Sequence, residues 1–416
     1  MRQDISKLLP GLDLSIYKAL VIVPERKNPL NMTHINFPYP KSKIKSIVTT
    51  EGLMYGMSGF SEAMRNVSYS IYKSGVNVIT DPHDNKYSDN VDVTLTEKGK
   101  FIEKYSTHYF SGNKKNIRIE MTIPMGIKRR VGDDYTIAYI MFETKTMPKK
   151  YVEYLNKECD EIWTPSKFNL DGFIEAGWKK PIFVMPLGVD TDQFNPDNVK
   201  PLNRLPYFTF LSIMGWSERK GVSVLIESFC KAFTRKDNVL LRIKGGWYPE
   251  DKAIREVEEI SSKYPNPPLI MTDFNIYTND EMPRLYKSVD AFVLPSRGEG
   301  WGLNYTEAMS MGLPTIGTNA TSQVDFMNDS NSYLIDIDGY KTEPRCDWVC
   351  DDYIGQLFAN PSIEHLAKLM REVYDNNWTA QQKGKKARYD MVNGLTWSHS
   401  VKKYIKRLKE IDKLLN

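Results

Sequence analysis

Glu299 and Glu307 lie eight positions apart in the segment Pro295-Ser-Arg-Gly-Glu-Gly-Trp-Gly-Leu-Asn-Tyr-Thr-Glu-Ala-Met-Ser-Met-Gly-Leu-Pro314. The first is on a glycine-rich loop after a short apolar run, Ala291 to Leu294, and the second is inside the helix that follows. Gly300 and Gly302 permit close backbone approach, and a helix starting near Asn304 directs unpaired N–H groups into the loop, which suits an anion. Carboxylates beside an anion site make sense if they recognise hydroxyls, because a carboxylate accepts two hydrogen bonds from the vicinal diol of a sugar or ribose. A tight turn and an ordinary helical Glu account for either residue alone, but not for the whole string. A second group is Gly215-Trp-Ser-Glu-Arg-Lys-Gly221, after the strand-like run Tyr207 to Ile213. Arg219 and Lys220 precede a helix at the carboxyl end of that strand, a place that suits a diphosphate. An Arg-Lys pair by itself is ordinary solvated surface; its meaning comes from sharing a sheet edge with Glu299.

Positioning these groups requires parallel sheets, and the alternation of strand-like and helical stretches predicts them. Ile44 to Thr50 reads as a strand, Gly52 to Ser58 as a loop, Phe60 to Lys73 as a helix stopped at Gly75, and Val76 to Thr80 as the next strand. Further on come the strand Tyr135 to Phe142, the helix Pro148 to Asn156, and the strands Glu161 to Thr164 and Ile182 to Met185. Prolines and polar residues cluster from Phe194 to Pro201, which sets a domain boundary there. The second cycle runs through the helix Val222 to Phe233, the strand Val239 to Ile243, Leu269 to Thr272, the helix Asp280 to Ser288, Ala291 to Leu294, a helix near Tyr305 to Met311, and Thr315 to Gly317. The pattern is helical from Ser362 onward. The expected organisation is therefore residues 1–197 as one doubly wound Rossmann-like domain and 198–397 as a second, with a basic amphipathic helix over about 398–416 packing back on the first.

The 416 residues are 41% hydrophobic, enough for two cores and too apolar for disorder. Fifty-six Lys plus Arg against 52 Asp plus Glu leave a formal charge of +4, too small over this length to require nucleic acid or an anionic membrane as partner. No apolar run reaches bilayer-spanning length, and the residues after Met1 lack an apolar secretory core, so a soluble cytoplasmic protein is expected, with peripheral membrane contact an unsupported alternative. Four cysteines are too few for a disulfide framework, and Cys346 and Cys350 have no second Cys/His pair at zinc spacing. His34, His83, His108, His365 and His399 are scattered and read as surface or satisfied core residues. Ala19 to Val23 is a further strand-sized run, and Lys128-Arg-Arg130 reads as a solvated turn. Trp301 fits both sugar stacking and plain packing.

The string from Ser296 to Pro314 resembles the E-x7-E signature of retaining glycosyltransferases of the GT-B fold, and specifically of glycosyltransferase family 4 (glycosyl transferases group 1). Arg219-Lys220-Gly221 is similar to that family's Lys-Gly element, Tyr286 to Pro295 to the strand before its signature, and Pro186 to Asp190 to its interdomain junction. Phe142-Glu-Thr144 through Asp160-Glu-Ile-Trp-Thr-Pro-Ser166 resembles N-terminal segments of bacterial members. The resemblance implies an α/β GT-B fold, two doubly wound Rossmann-like domains facing a central cleft, with the donor on the C-terminal domain and the acceptor on the N-terminal one. It implies that Lys220 and Arg219 bind the donor diphosphate, that Glu299 binds the hydroxyls of the transferred sugar, and that Glu307 binds the ribose. It further implies that the amides of Gly302, Leu303 and Asn304 reach sugar or phosphates, that Ser58 and Gly59 approach the phosphates, and that Phe274 to Tyr277 contact the base. Two departures stand out: Met214 and Gly215 occupy the place of an upstream Arg, for which Arg219, Arg242 or Arg297 are substitutes, and Glu143 occupies the place of a His. Glu143 and Arg297 are accordingly assigned to the sugar or acceptor side.

The expected reaction is transfer of a hexosyl group from a UDP-glucose-type or GDP-mannose-type donor to a carbohydrate, lipid-linked or other hydroxyl. The resemblance implies attack on the leaving-group face and retention. Cationic side chains and helix N-termini would balance the leaving diphosphate, so no metal and no cofactor are expected. The Asp-x-Asp patterns Asp190-Thr-Asp192 and Asp336-Ile-Asp338 read as acidic turns. The competing readings are a noncatalytic sugar-nucleotide-binding scaffold and a GT-B-fold sugar-nucleotide epimerase or hydrolase.

Overall fold

Short apolar parallel strands alternate with helices along the chain. The computed structural model describes residues 41–84, 93–106, 114–246, 248–342 and 353–416. Ala19 to Val23, His34, His108, Cys346 and Cys350 lie outside the described residues. Contacts divide the chain into two units. Of the described residues, one holds those up to Thr122, Arg129–Thr136 and Lys409–Asn416, and the other holds Ile123–Lys128 and those within Ile137–Leu408.

In the first unit, β1 (Ile47–Gly52) leads through a loop to α1 (Gly59–Lys73), β2 (Val78–Pro82), α2 (Glu97–Tyr105) and β3 (Asn116–Met121). Ser58 starts α1 by accepting the N–H of Ser61 at 3.1 Å, and Gly75, at φ +84°, takes the chain out of it. β1 pairs in parallel with both β2 and β3, placing Glu51 opposite Asp81 on one side and Glu120 on the other. Neither α2 nor β3 is expected from the sequence pattern. Asp412 accepts from the N–H and Oγ of Ser46 at 2.8 and 2.7 Å, so the end of the C-terminal helix is tied to the start of β1.

The second unit carries a ladder of β4 (Tyr135–Tyr139, from Ile137), β5 (Glu161–Thr164) and β6 (Ile182–Val184), with α3 (Lys149–Glu158) and α4 (Lys167–Glu175) between them. The C-terminal helix packs on this ladder too: the Tyr404 hydroxyl donates to the Pro186 carbonyl at 2.6 Å, and Arg407 pairs with the buried Glu161 at 2.7 Å.

Its larger sheet has the order β12-β11-β10-β7-β8-β9, all parallel. These strands are β7 (Phe208–Ile213), β8 (Val239–Lys244), β9 (Leu269–Asp273), β10 (Ala291–Leu294), β11 (Thr315–Thr318) and β12 (Tyr333–Ile335). The intervening helices are α5 (Val222–Ala232), α6 (Glu250–Ser261), α7 (Glu281–Lys287) and α8 (Leu303–Ser310). The order reverses between β7 and β10, so the loops after these two strands open the crevice where ligands of doubly wound sheets bind. An antiparallel ribbon of β13 (Ile337–Thr342) and β14 (Leu357–Pro361) follows, then α9 (Ile363–Asp375), α10 (Asn377–Gly394) and α11 (Trp397–Leu415). The core joins the apolar faces of β7, β8, β10 and β11 to α5, α8, α9 and α10, with Phe210, Phe229, Phe292 and Tyr305 fully buried. No helix among the described residues is long and apolar enough to cross a membrane.

Candidate active site

The chain leaves β7 through a polar loop and makes one 3-10 turn, Glu218–Lys220, before α5. Gly221 between them is left-handed (φ +72°), and a Cβ there would collide with the Pro295 carbonyl. Only glycine lets the Arg219-Lys220 turn lie this close to the loop after β10. The two loops are stitched together, the N–H of Arg297 donating to the Arg219 carbonyl at 2.8 Å and Arg219 Nη1 to the Gly298 carbonyl at 2.7 Å.

This contact brings Lys220 Nζ to 2.5 Å from Glu299 Oε1, with Arg219 3.9 Å from the same carboxylate. Arg219 is also 3.8 Å from Glu143, whose side chain accepts a hydrogen bond from the Tyr353 hydroxyl. The Tyr353 ring stacks on Phe142 at 5.1 Å with 7° between planes. Two cations and two carboxylates therefore converge, each side chain no more than 15% exposed. Burial pushes the Lys220 ammonium towards losing its proton and neighbouring Arg219 adds to this, outweighing the attraction of Glu299. Burial alone would raise Glu299, but Lys220 and Arg219 overcome it and hold the carboxyl below its ordinary range. The group is a charge-balanced polar centre in which a dianionic ligand and a sugar hydroxyl could each take over one partner.

Gly302, left-handed at φ +95°, caps α8 and turns its first N–H groups, those of Leu303 and Asn304 included, towards the end of the loop. The Asn304 side chain donates to the Ile213 carbonyl at 2.8 Å, tying α8 to the end of β7. Glu307, one turn further, accepts from the Tyr286 hydroxyl at 2.9 Å. Trp301 is 4% exposed and packs on Phe326 at 5.0 Å, so packing is what its ring does here. Near β9, Arg242 donates from Nε to Asp273 at 2.9 Å, and Tyr277 shares that carboxylate at 2.7 Å. Of Arg219, Arg242 and Arg297, only Arg219 lies beside Lys220 and Glu299. Arg297 lies 3.7 Å from Glu218 and lines a cavity of about 430 Å³ with Ser223, Lys231, Lys341 and Ser362. Ser58 and Gly59 start α1 in the first unit.

Several contacts of these residues carry no signal in the sequence. Tyr353 and Tyr286 orient Glu143 and Glu307, and the Thr321-Ser322 pair after β11 holds Glu299. The N–H of Glu299 donates to Thr321 Oγ1 at 3.3 Å, and Ser322 Oγ donates to the Glu299 carbonyl at 2.7 Å. A second charged centre closes the carboxyl ends of β1–β3. Glu51 accepts from Arg118, from Arg130 at 2.6 Å and from His83 at 2.8 Å. Arg118 reaches on to Asp133 at 2.8 Å. Lys128-Arg-Arg130 is thus not a solvated turn throughout: Arg130 folds inward because Glu51 and Glu120 are buried without enough charge to balance them otherwise. Glu51, His83 and Glu120 present ligand atoms within 4.8 Å of one another, the spacing of a metal site. Both Glu51 oxygens already carry a guanidinium, which favours a structural ion-pair network over a cation. Asp190-Thr-Asp192 behaves as a turn, Asp190 accepting the Gln193 N–H at 3.1 Å, but Asp336-Ile-Asp338 does not: Asp336 joins β12 to β13 and pairs with His365 at 3.0 Å, and Asp338 lies within β13.

The fold is GT-B, two Rossmann-like parallel-sheet assemblies: a glycosyltransferase from Rickettsia africae superposes with a TM-score of 0.63 at 16% identity, covering 88% of this chain and 98% of that one. The family described as glycosyl transferases group 1 matches residues 206–342, the stretch that carries Arg219, Lys220, Glu299 and Glu307. A GDP-mannose-dependent alpha-mannosyltransferase from Corynebacterium glutamicum is 26% identical over 247 residues, 58% of this chain and 55% of that protein. A mannosylfructose-phosphate synthase from Agrobacterium fabrum is 28% identical over 207 residues, 46% and 45% of the two chains. The chain spans about half the length of the curated relatives it matches.

Proposed function

We propose that this chain is a retaining glycosyltransferase that moves a hexosyl group from a nucleoside diphosphate sugar to an acceptor hydroxyl without a metal ion. The observation that carries the reading is the convergence of Lys220 and Arg219 with Glu299 at the order reversal of the larger sheet, beside the N-terminus of α8. A diphosphate needs concentrated positive charge and free N–H groups, a sugar needs a buried carboxylate, and these lie within one side chain's length. The match to glycosyl transferases group 1 over the same residues supports it.

Lys220 and Arg219 would bind the diphosphate and balance the charge that builds on it as the anomeric C–O bond breaks. The amides of Gly302, Leu303 and Asn304 would add to this. Glu299 would accept hydroxyls of the departing sugar, Glu307 those of the ribose, and Glu143 and Arg297 would face the sugar or acceptor. The acceptor oxygen would attack on the leaving-group face while a phosphate oxygen takes its proton. Ser58 and Gly59 would approach the phosphates, and the boundary near residue 197 would separate an acceptor domain from a donor domain. GDP-mannose is a natural first donor to test, since one relative bears that donor in its name.

The test is release of nucleoside diphosphate from a panel of UDP, GDP and ADP sugars in EDTA, with and without sugar and alcohol acceptors, the product configuration being read by proton NMR. Acceptor-stimulated release with a retained anomer is expected. Binding without turnover would favour the scaffold reading, release without acceptor dependence the hydrolase, and activity restored only by manganese would overturn metal independence.

A further inference from the structure

Thr321 has a backbone that its residue type resists. At φ 62° and ψ −152° it is the one non-glycine residue with positive φ among the described residues, and it is β-branched. That region is occupied almost solely by glycine, and such residues persist where their surroundings over-determine them, typically beside functional groups. Thr321 is 3% exposed, so no solvent contact explains the conformation.

What the conformation achieves is visible in its hydrogen bonds. Thr321 Oγ1 accepts the N–H of Glu299 and donates to Gln323 Oε1 at 2.7 Å, while Gln323 in turn donates to the Thr318 carbonyl at 3.0 Å. The next residue, Ser322, donates from Oγ to the carbonyls of Glu299 at 2.7 Å and Trp301 at 3.0 Å. Both backbone polar groups of Glu299 are therefore held by two consecutive residues from a different strand end. A relaxed residue 321 would turn the Thr321 hydroxyl and the Ser322 hydroxyl away from that loop.

We propose that Thr321 is a positioning residue: its strained backbone and its hydroxyl fix the loop that carries Glu299, and so set the Lys220–Glu299 pair on which, under the proposed glycosyl transfer, sugar recognition depends. Strain is then the cost of a rigid carboxylate, as elsewhere when active sites trade stability for geometry.

The proposal is tested with Thr321→Gly, which relieves the backbone and deletes the hydroxyl, and Thr321→Ser, which keeps the hydroxyl. The Gly variant should melt at or above the wild-type temperature while its donor turnover falls about tenfold, with nucleoside diphosphate affinity changed less than about twofold. The Ser variant should recover most of the lost turnover. A merely structural Thr321 would lower stability and turnover together, and equal turnover in all three proteins would overturn the proposal. A second readout does not depend on catalysis. Lys220→Met should lower the melting temperature of the wild-type chain clearly more than that of the Thr321→Gly chain, because the pair is already loosened there. Equal shifts in the two backgrounds would overturn the positioning role. Absent turnover in the wild type together with unequal shifts would instead leave that role standing and discard the glycosyl-transfer reading.

Discussion

Replacing Lys220 by Met deletes one ammonium from a centre whose other charges stay in place. Its Nζ lies 2.5 Å from Glu299, and the two side chains are 15% and 8% exposed. Removing one partner of a buried ion pair costs about 3–5 kcal/mol because the other charge is left uncompensated. Arg219 remains 3.9 Å from Glu299, so the lower end applies, about 3 kcal/mol. At about 2–4 °C per kcal/mol, the melting temperature should fall by roughly 6–12 °C. Urea unfolding at neutral pH with unchanged m-value is the assay of choice. The double variant Lys220→Met, Glu299→Leu replaces the pair with apolar side chains of similar size and should return to within about 1 kcal/mol of wild type, since such swaps are close to neutral. Donor turnover should stay lost in both. A single variant costing less than about 1 kcal/mol, or a double variant as unstable as the single, would refute the description of this centre as a tightly balanced buried pair.

Gly298→Ala should cost about 1–3 kcal/mol and most of the turnover, because a Cβ there runs into the Glu143 carbonyl and must separate the two segments that hold Arg219; thermal melts and donor release measure both. Acid stability should depend on Glu51. Burial alone would raise this carboxyl, but the hydrogen bond from His83 and the charges of Arg118 and Arg130 hold it at about 2 against an ordinary 4.5. A depressed carboxyl contributes stability above its unfolded value and loses it as the pH falls towards about 2. Glu51→Gln should thus flatten the pH–stability curve between about 4.5 and 2, and an unchanged slope in urea melts across that window would contradict the assignment.

Much of the parallel-strand framework is legible in the sequence. Ala291 to Leu294 and Glu161 to Thr164 are observed with the ends the apolar runs suggest, because each is bounded by a polar or proline stop. Arg219, Lys220 and Glu299 could be paired in advance because both loops follow parallel strands and must open on one sheet edge. β3 is harder: Asn116, Arg118 and Glu120 alternate with Ile117, Ile119 and Met121, but all six are buried, so its polar half looks like surface until the ion pairs of Glu51 are seen. Tyr353 joins Glu143 across 210 residues, a contact with no local signal. The Thr321 clamp is invisible for a different reason, since its backbone contradicts the preference of its residue type. A charged residue at the end of an apolar strand, as at Glu51 and Asp81, is the one hint that could have located the second charged centre.

The most direct test of the central claim is calorimetric titration of the wild-type chain with UDP, GDP and ADP in EDTA, repeated with Lys220→Ala and Glu307→Gln. One nucleoside diphosphate should bind, about tenfold or more weakly when Lys220 is removed, and more weakly when Glu307 can no longer accept from the ribose as a carboxylate. Binding of none of the three, or binding indifferent to Lys220, would contradict the assignment of this centre to a nucleotide-sugar donor.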